Sequence, residues 1–529
     1  MNLGAVVGNS AWLASSLPEY RRFVASLGTV EVTQRAVLAA LLRQNADTRF
    51  GKLHGFASLR SWEDYDNAVP PRDYDGFRPW IDAIRAGDQR VLTTDPVTLF
   101  EPTSGSTGAE KLIPYTASLQ REIRHAVAAW TSRLFIDDPD LLGGRAYWSL
   151  TPQLPNEKRP DSVVPIGFDE DGAYLGKVAA QLLSLTMVTQ PGLKRLHDME
   201  EFWFWSSLLL LGCRDLRLIS VWHPSYLLLL LEHMGARWEA LLEAVANGLR
   251  RDDVELRLAA APRRARELER IGPRDRGRIW PRLGLISCWG DAHAAKSIAD
   301  VTQRFPGVVV QEKGLVATEG IVTIPFRGHH PLALRSHFFE FVDGDGKIHP
   351  SWDLQERQSY TVLLTTGGGL YRYELRDRVE VTGFLGDTPC LRFEGKADSV
   401  SDLFGEKLSE VFVAGVLRDL LRRAGTSHAF AMLAPHRAGI SARYELYVQV
   451  DPPHSEVSEA DLERALCENP HYRLCRDLGQ LDAAVVMPVG KDARTRCLER
   501  LRMQGRRLGD IKPAALSVEV GWRATFGIH

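Results

Sequence analysis

Apolar positions along the first 90 residues recur mainly at helical spacing. Ala36, Val37, Ala40, Leu41 and Leu42 share one face of Thr33 to Asn45, which predicts a helix ended by the polar break at Asn45 to Gly51. Val69-Pro-Pro71 punctuates a connecting loop. Val97-Thr-Leu-Phe100 reads as a short strand. Leu119, Ile123, Val127, Trp130 and Leu134 then mark a helix to about Phe135, with Thr116 placed to cap it. Tyr147 to Thr151 and Leu218 to Trp222 read as strands, within a region from Met187 to Met234 that is otherwise helical and rich in aromatics. Asp252 to Arg270 predicts an exposed amphipathic helix. Leu283 to Cys288, a helix through Phe305, and Gly307 to Val310 alternate as strand, helix, strand, which predicts a parallel or mixed sheet with helices on its faces. Residues 329–342 read as strand. The tail predicts a small sheet from Ala429 to Leu433, Ala442 to Val450 and Ala483 to Met487, against helices at Ser458 to Cys467 and Lys491 to Gly505.

Length and charge narrow the function classes. A chain of 529 residues exceeds one core and has room for a large domain plus a smaller one. The net charge of −2 gives no case for a nucleic-acid or anionic-membrane partner. Cys213, Cys288, Cys390, Cys467, Cys475 and Cys497 are scattered, as expected for reduced thiols in a cytoplasmic protein. The amino terminus lacks the pattern of a signal peptide, and the apolar run from Phe202 to Cys213 is too short to span a bilayer.

The candidate chemistry centres on Glu101-Pro-Thr-Ser-Gly-Ser-Thr-Gly-Ala-Glu-Lys-Leu-Ile-Pro-Tyr-Thr116. Gly105 and Gly108 let backbone N–H groups turn inward around an anion. Ser104, Ser106 and Thr107 add hydroxyl donors, and Lys111 a mobile positive charge, a composition that suits a triphosphate. An ordinary polar turn uses the same residue types. A Walker loop is excluded because Glu110-Lys111-Leu112 replaces its Gly-Lys-Ser/Thr ending, and a nucleophile elbow because Gly-x-Ser-x-Gly is absent. Downstream, Thr318-Glu319 follows a predicted strand, where open α/β sheets bind ligands. A carboxylate there either holds Mg²⁺ against phosphate oxygens or is a solvated loop glutamate. His329, His330 and His337 divide between strand faces, which argues against a metal. Glu340, between two phenylalanines, needs a partner, and backbone groups are the expected one.

With its flanks, the loop resembles the phosphate loop of adenylate-forming enzymes, most of all that of the GH3 acyl-acid amido synthetase family. Lys313 to Gly320 resembles that family's second motif. Gly367-Gly-Gly-Leu-Tyr-Arg-Tyr-Glu-Leu-Arg-Asp-Arg378, followed by Val379 to Phe384, is similar to the third and is the most specific match. Leu508-Gly-Asp-Ile-Lys-Pro513 resembles a late motif. The Thr-Ser-Gly-Ser-Thr-Gly spelling points to a bacterial rather than a plant-type member. One departure stands out: the residue before the motif aspartate is usually glycine in plant members and is Arg376 here.

The resemblance implies an α/β fold with α+β elements. A large adenylating domain of mixed sheets flanked by helices, residues 1–395, joins a small C-terminal α+β domain, 396–529, through a hinge near Lys396 or Asp398. ATP and Mg²⁺ are the implied cofactors. Ser104, Gly105, Ser106, Thr107, Gly108 and Lys111 would hold phosphates and Glu319 the Mg²⁺, with Thr318 beside the nucleotide. Asp377 would take the ribose hydroxyls, Tyr371 or Tyr373 would stack on adenine, and Arg392 would approach phosphates or ribose. Lys512 would meet the charge growing at the α-phosphate. The implied activity joins a small-molecule carboxylic acid to an amino acid or other amine through an acyl adenylate, in a monomer or weak dimer. Transfer to coenzyme A and nucleotide binding without turnover are the alternatives.

Overall fold

The fold is given by a computed structural model. It describes residues 2–104, 110–150, 162–166, 185–196, 198–290, 294–396, 400–401, 403–404, 406–424, 430–438, 441–449, 457–477, 480–504 and 514–528. The amino-terminal segment is helical as expected. Asn2 caps Leu3–Ser26, its side-chain oxygen accepting from Ala5 N at 3.1 Å. Val30–Gln44 starts earlier than periodicity suggested, because Val30 is itself buried. Ser61 and Asp64 form a capping box on Trp62–Ala68, which stops short of Pro70 and Pro71. Tyr74–Arg85 buries Tyr74, Phe77, Ile81 and Ile84, one stripe at helical spacing.

Two strands follow, β1 (Leu99–Ser104) and β2 (Glu110–Tyr115), paired as an antiparallel hairpin. The sequence had suggested a strand, a loop and then a helix; β2 is an added strand. Thr116 does cap the helix Ala117–Asp137, its Oγ1 accepting from Leu119 N at 3.1 Å. That helix packs along Leu3–Ser26, where Trp12 Nε1 donates to Thr131 Oγ1 at 3.0 Å.

A parallel sheet carries the next third of the chain. Its β3 (Arg145–Trp148) and β4 (Leu216–Ser220) are linked through the helix Met199–Gly212, whose Phe202, Trp205 and Leu208 are core. The expected helix from Asp252 to Arg270 is replaced by a hairpin, β5 (Leu249–Arg251) and β6 (Leu256–Leu258), and a shorter helix, Pro262–Ile271. Pro262 explains the break, since proline fits a first helical turn but interrupts a helix running through it. Then β7 (Leu285–Cys288), the helix Ala294–Arg304 and β8 (Val309–Glu312) complete the order β3-β4-β7-β8, all parallel as the strand–helix alternation predicted.

Beyond β8 a small hairpin, β9 (Val316–Ala317) and β10 (Gly320–Ile321), leads to an antiparallel sheet. Its strands are β11 (Phe338–Val342), β12 (Ile348–Pro350), β13 (Ser359–Thr365), β14 (Tyr373–Leu385) and β15 (Thr388–Lys396), in the order β12-β11-β13-β14-β15. The strand expected from residue 329 begins only at Phe338, because Gly328 at φ +76° turns the chain and Phe326 bridges back to His329. A large apolar cluster runs from Phe23 to Phe393.

Separate clusters begin with Leu408 and Phe430. The ribbon of β16 (Val400–Ser401) and β17 (Leu408–Ser409) precedes the helix Glu410–Arg423, which Ser409 caps. Then β18 (Ala431–Ala438) and β19 (Ser441–Gln449) pair antiparallel, and β20 (Val485–Val489) adds in parallel, with Glu459–Leu466 and Ala493–Met503 as helices. Leu229, on the helix Pro224–Ala236, packs against the Phe430–Trp522 cluster.

The antiparallel sheet is fastened to the amino-terminal helices by one buried arginine. Arg372, 1% exposed, gives Nε and Nη2 to the two oxygens of Glu340, each at 3.0 Å. Its Nη2 also reaches Asp66 Oδ1 at 2.5 Å, and Nη1 reaches the carbonyls of Val69 at 2.8 Å and Asp66 at 3.1 Å. All five guanidinium N–H donors are thereby used. Trp62 Nε1 donates to Glu340 Oε1 at 2.7 Å. The partners of Glu340 are therefore side chains, not the backbone groups expected. Burial pushes the Glu340 carboxyl up and the Arg372 charge pulls it back down. Replacing Arg372 by Met leaves Glu340 charged and unpaired in the core. It should cost about 3–5 kcal/mol in urea unfolding, and less when Glu340→Leu is added. Equal stabilities would show that the pair does not fasten the sheet.

Candidate functional site

The expected phosphate loop begins on β1 and ends on β2. Ser104 pairs with Glu110 at the last register position, and Thr103 with Lys111. Gly105, Ser106, Thr107 and Gly108 lie outside the described residues. Strand β2 is held from below by the helix Tyr74–Arg85, where the Tyr74 hydroxyl accepts from Leu112 N at 2.7 Å. The Lys111 ammonium stands 6.0 Å from the Tyr74 ring centre.

Glu319 occupies a rigid turn. Strands β9 and β10 pair with Ala317 opposite Gly320, so Thr318 and Glu319 form the two-residue link of a hairpin. The Thr318 carbonyl accepts from Tyr115 Oη at 2.7 Å, which ties the turn to the end of β2. Ile321 N donates to His337 Nε2 at 3.1 Å, so the His337 hydrogen sits on Nδ1, directed at Glu122 Oε2 at 2.8 Å. Glu122 also accepts from Gly367 N, at 2.9 Å and 3.0 Å. His337 is fully buried in this relay, with both ring nitrogens engaged. Gly320 has to be glycine, since an added Cβ would stand 2.6 Å from His337 Nε2.

Tyr373 completes the cluster. Its hydroxyl donates to Glu319 Oε1 at 3.3 Å and accepts from Lys111 Nζ at 3.5 Å. Burial, then the Glu319 charge, push its phenol far above the ordinary tyrosine range. One phenol thus stands between a mobile cation and a carboxylate that is 8% exposed. Tyr371 belongs to the core instead: it is fully buried, stacked on Phe50 with ring centres 4.9 Å apart, and its hydroxyl donates to Leu92 O at 2.9 Å. That removes it as an adenine platform. Asp377 is buried further along β14, opposite Lys396 of β15. Arg392 is largely exposed and pairs with Glu380, and among the described residues no hydrogen bond or ion pair joins it to Lys111, Glu319 or Tyr373. Lys512 lies outside the described residues.

The arginine in the place of a glycine has a clear backbone setting. Arg376 adopts φ +60°, the left-handed conformation that glycine enters without cost. Its guanidinium is held by Asp73 at 2.9 Å. A further residue escaped sequence reasoning. Lys313, just past β8, is 6% exposed and donates to Ser220 Oγ at 2.6 Å. Its place at the head of the Lys313–Gly320 stretch, just after the strand predicted from Gly307, was the available signal. Burial pushes its ammonium down to about 7.

The comparisons agree with these motifs. The GH3 family N-terminal domain matches residues 19–309, the GH3 family central domain 330–396 and the GH3 family C-terminal domain 417–519. The chain belongs to the GH3 family. A putative indole-3-acetic acid-amido synthetase GH3.10 of Oryza sativa subsp. japonica is 24% identical over 436 residues, covering 78% of this chain and 86% of the relative. The indole-3-acetic acid-amido synthetase GH3.3 of Arabidopsis thaliana is 22% identical over 533 residues, covering 86% and 85%. Among solved structures, the AtGH3.15 acyl acid amido synthetase in complex with 2,4-DB matches with a TM-score of 0.82 at 18% identity. The match covers 96% of this chain and 95% of that one. The mixed helical and sheet fold expected from the sequence is that fold.

Arg376→Gly should stay within about 1 kcal/mol of the parent, because relief at positive φ offsets the lost Asp73 pair. Arg376→Val, β-branched at the same φ, should be the less stable of the two by about 1–2 kcal/mol. Thermal melts of the two variants decide it; a valine variant as stable as the glycine one would remove the left-handed assignment.

Proposed function

We propose that this protein is an ATP-dependent acyl-acid amido synthetase, which adenylates a carboxylic acid and passes the acyl group to an amino acid or other amine. The observation that carries this is the meeting of Lys111, Tyr373 and Glu319, from three distant motifs, at one buried cluster. In the first step an acid oxygen bonds to the α-phosphorus of ATP and the bond to pyrophosphate breaks. In the second, the amine nitrogen attacks the acyl carbon, loses a proton, and AMP leaves.

The chain's own groups divide this work. Lys111 and the loop from Ser104 through Gly105, Ser106, Thr107 and Gly108 take the β- and γ-phosphates, where positioning and charge neutralisation do most of the catalysis. Thr318 lies beside the nucleotide. Asp377 accepts from the ribose hydroxyls. Tyr373, whose ring is buried, acts through its hydroxyl by orienting Glu319. Glu319 fits Mg²⁺, which takes one or two carboxylates plus phosphate oxygens, and Mg²⁺ would neutralise the charge on those oxygens. Lys512 meets the charge growing at the α-phosphate, and Arg392 approaches from β15. The chain divides at 395/396, with the register pair Asp377–Lys396 beside the hinge, so that residues 396–529 rotate between the two steps.

The first test is acid-dependent ATP–pyrophosphate exchange over aromatic and aliphatic acids, followed by amino acid or coenzyme A in separate reactions and product masses. Exchange with amide formation is the expected result; a thioester alone would make this a coenzyme A ligase, and ATP binding without exchange a non-catalytic relative. Within an active enzyme, Lys512→Ala should slow exchange by about 10²-fold or more while ATP still binds. Asp377→Ala should raise the KM for ATP about tenfold, the cost of one lost charged hydrogen bond. Unchanged values would remove either residue from its role.

A further inference from the structure

Lys313 is a buried cation that the two-step reaction above does not use. It follows β8 at the carboxyl-terminal edge of the parallel sheet, its backbone N donating to Cys288 O of β7 at 2.9 Å. Ligands of open α/β sheets bind outside that edge. Around the ammonium, Ser220 ends β4, and the ring centres of Trp130 and Trp222 lie 5.5 Å and 5.6 Å away. Trp130 is fixed by its own Nε1, which donates to Gln311 Oε1 at 2.9 Å. Trp222 is 48% exposed, so the cluster reaches the surface through one indole. Cys288 beside it is fully buried, and burial pushes its thiol up to about 12, so it supplies no counter-charge.

An ammonium has three donors, and Ser220 Oγ is the one hydrogen-bond acceptor within reach among the described residues. Such surroundings disfavour the charged amine, as its downward shift to about 7 reflects, and an arriving anion would favour the ammonium again. Lys313 also lies six residues before Glu319 on the same connection, at most about 21 Å along an extended chain. One connection thus carries the Thr318–Glu319 turn at one end and the tryptophan-flanked ammonium at the other.

We propose that Lys313 determines specificity by receiving a second anionic group at the end of the acid remote from the reacting carboxylate. The preferred substrates are then dicarboxylic acids, held through the distal carboxylate by Lys313 and Ser220 and flanked by Trp130 and Trp222. This rests on the amido-synthetase reading. A site built to bond a charged group rejects the analogue lacking it more strongly than an apolar pocket rejects an added methylene.

The experiment compares matched pairs, adipate with hexanoate and terephthalate with benzoate, on the full chain and on Lys313→Met. Exchange gives kcat/KM with ATP, and quenching of tryptophan fluorescence gives Kd without it. The parent should favour each diacid by about tenfold or more, and Lys313→Met should lower that ratio by a similar factor in both readouts. Lys313→Gln serves in the same role if the methionine variant does not fold. A parent that favours the monoacids, or a ratio that survives loss of the amine, overturns the proposal. If no acid supports exchange but quenching shows the ratio and its loss, adenylation falls and Lys313 stands. If exchange proceeds with an unchanged ratio, the reverse holds. Absence of both signals with every acid overturns both.

Discussion

A guanidinium that cannot give up its proton sits at the centre of this protein, and its surroundings are arranged around that fact. Arg372 and Glu340 are each 1% exposed, and neither is tolerable in the core without the other. Satisfying both recruits Trp62, Asp66 and Val69 from the amino-terminal helices and β11 from the antiparallel sheet. Arg372 at φ +53° breaks the strand alternation that would put its two neighbours on one face. Tyr371 is sent into the core against Phe50, and Tyr373 toward Glu319 and Lys111.

The backbone at this point departs from an ordinary strand. Arg372 at φ +53° and Arg376 at φ +60° both occupy the left-handed region, and β13 and β14 shift register between Thr361 and Leu363. Each arginine is held there by a carboxylate from the amino-terminal segment, Asp66 and Asp73 respectively. Side-chain ion pairs thus maintain a backbone shape that glycine would supply through its own freedom, and Asp377 follows directly on it.

Much of this was legible in the chain. Helical spacing identified Ala117–Asp137 and its threonine cap, and strand–helix alternation identified the parallel sheet. Strand β2 was hidden because Glu110, Lys111 and Pro114 lower strand propensity, and pairing with β1 outweighs it. The resemblance left Tyr371 and Tyr373 as alternatives for the adenine platform, and which of them was core depended on what packed there. The Arg372–Glu340 pair spans 32 residues and the Trp62 contact 278, distances over which no periodic signal operates. Lys313 was legible only as the first residue of a motif; its surroundings come from β4, β7 and the helix Ala117–Asp137, three separate parts of the chain.

The bonds around Arg372 also set an order of assembly. They join residues 303 and 306 positions apart, and the Tyr65–Thr365 hydroxyl pair another 300. Contacts closing loops of that length form after local ones, because the entropy of closure precedes any return. Lys111 of β2 is made early on the chain, whereas Tyr373, with Glu319 bonded to it, reaches Lys111 only once the antiparallel sheet has been synthesised and docked. The Lys111–Tyr373–Glu319 cluster is therefore a property of the finished fold, and during synthesis the nascent chain passes through a long interval in which β2 has been made and Tyr373 has not.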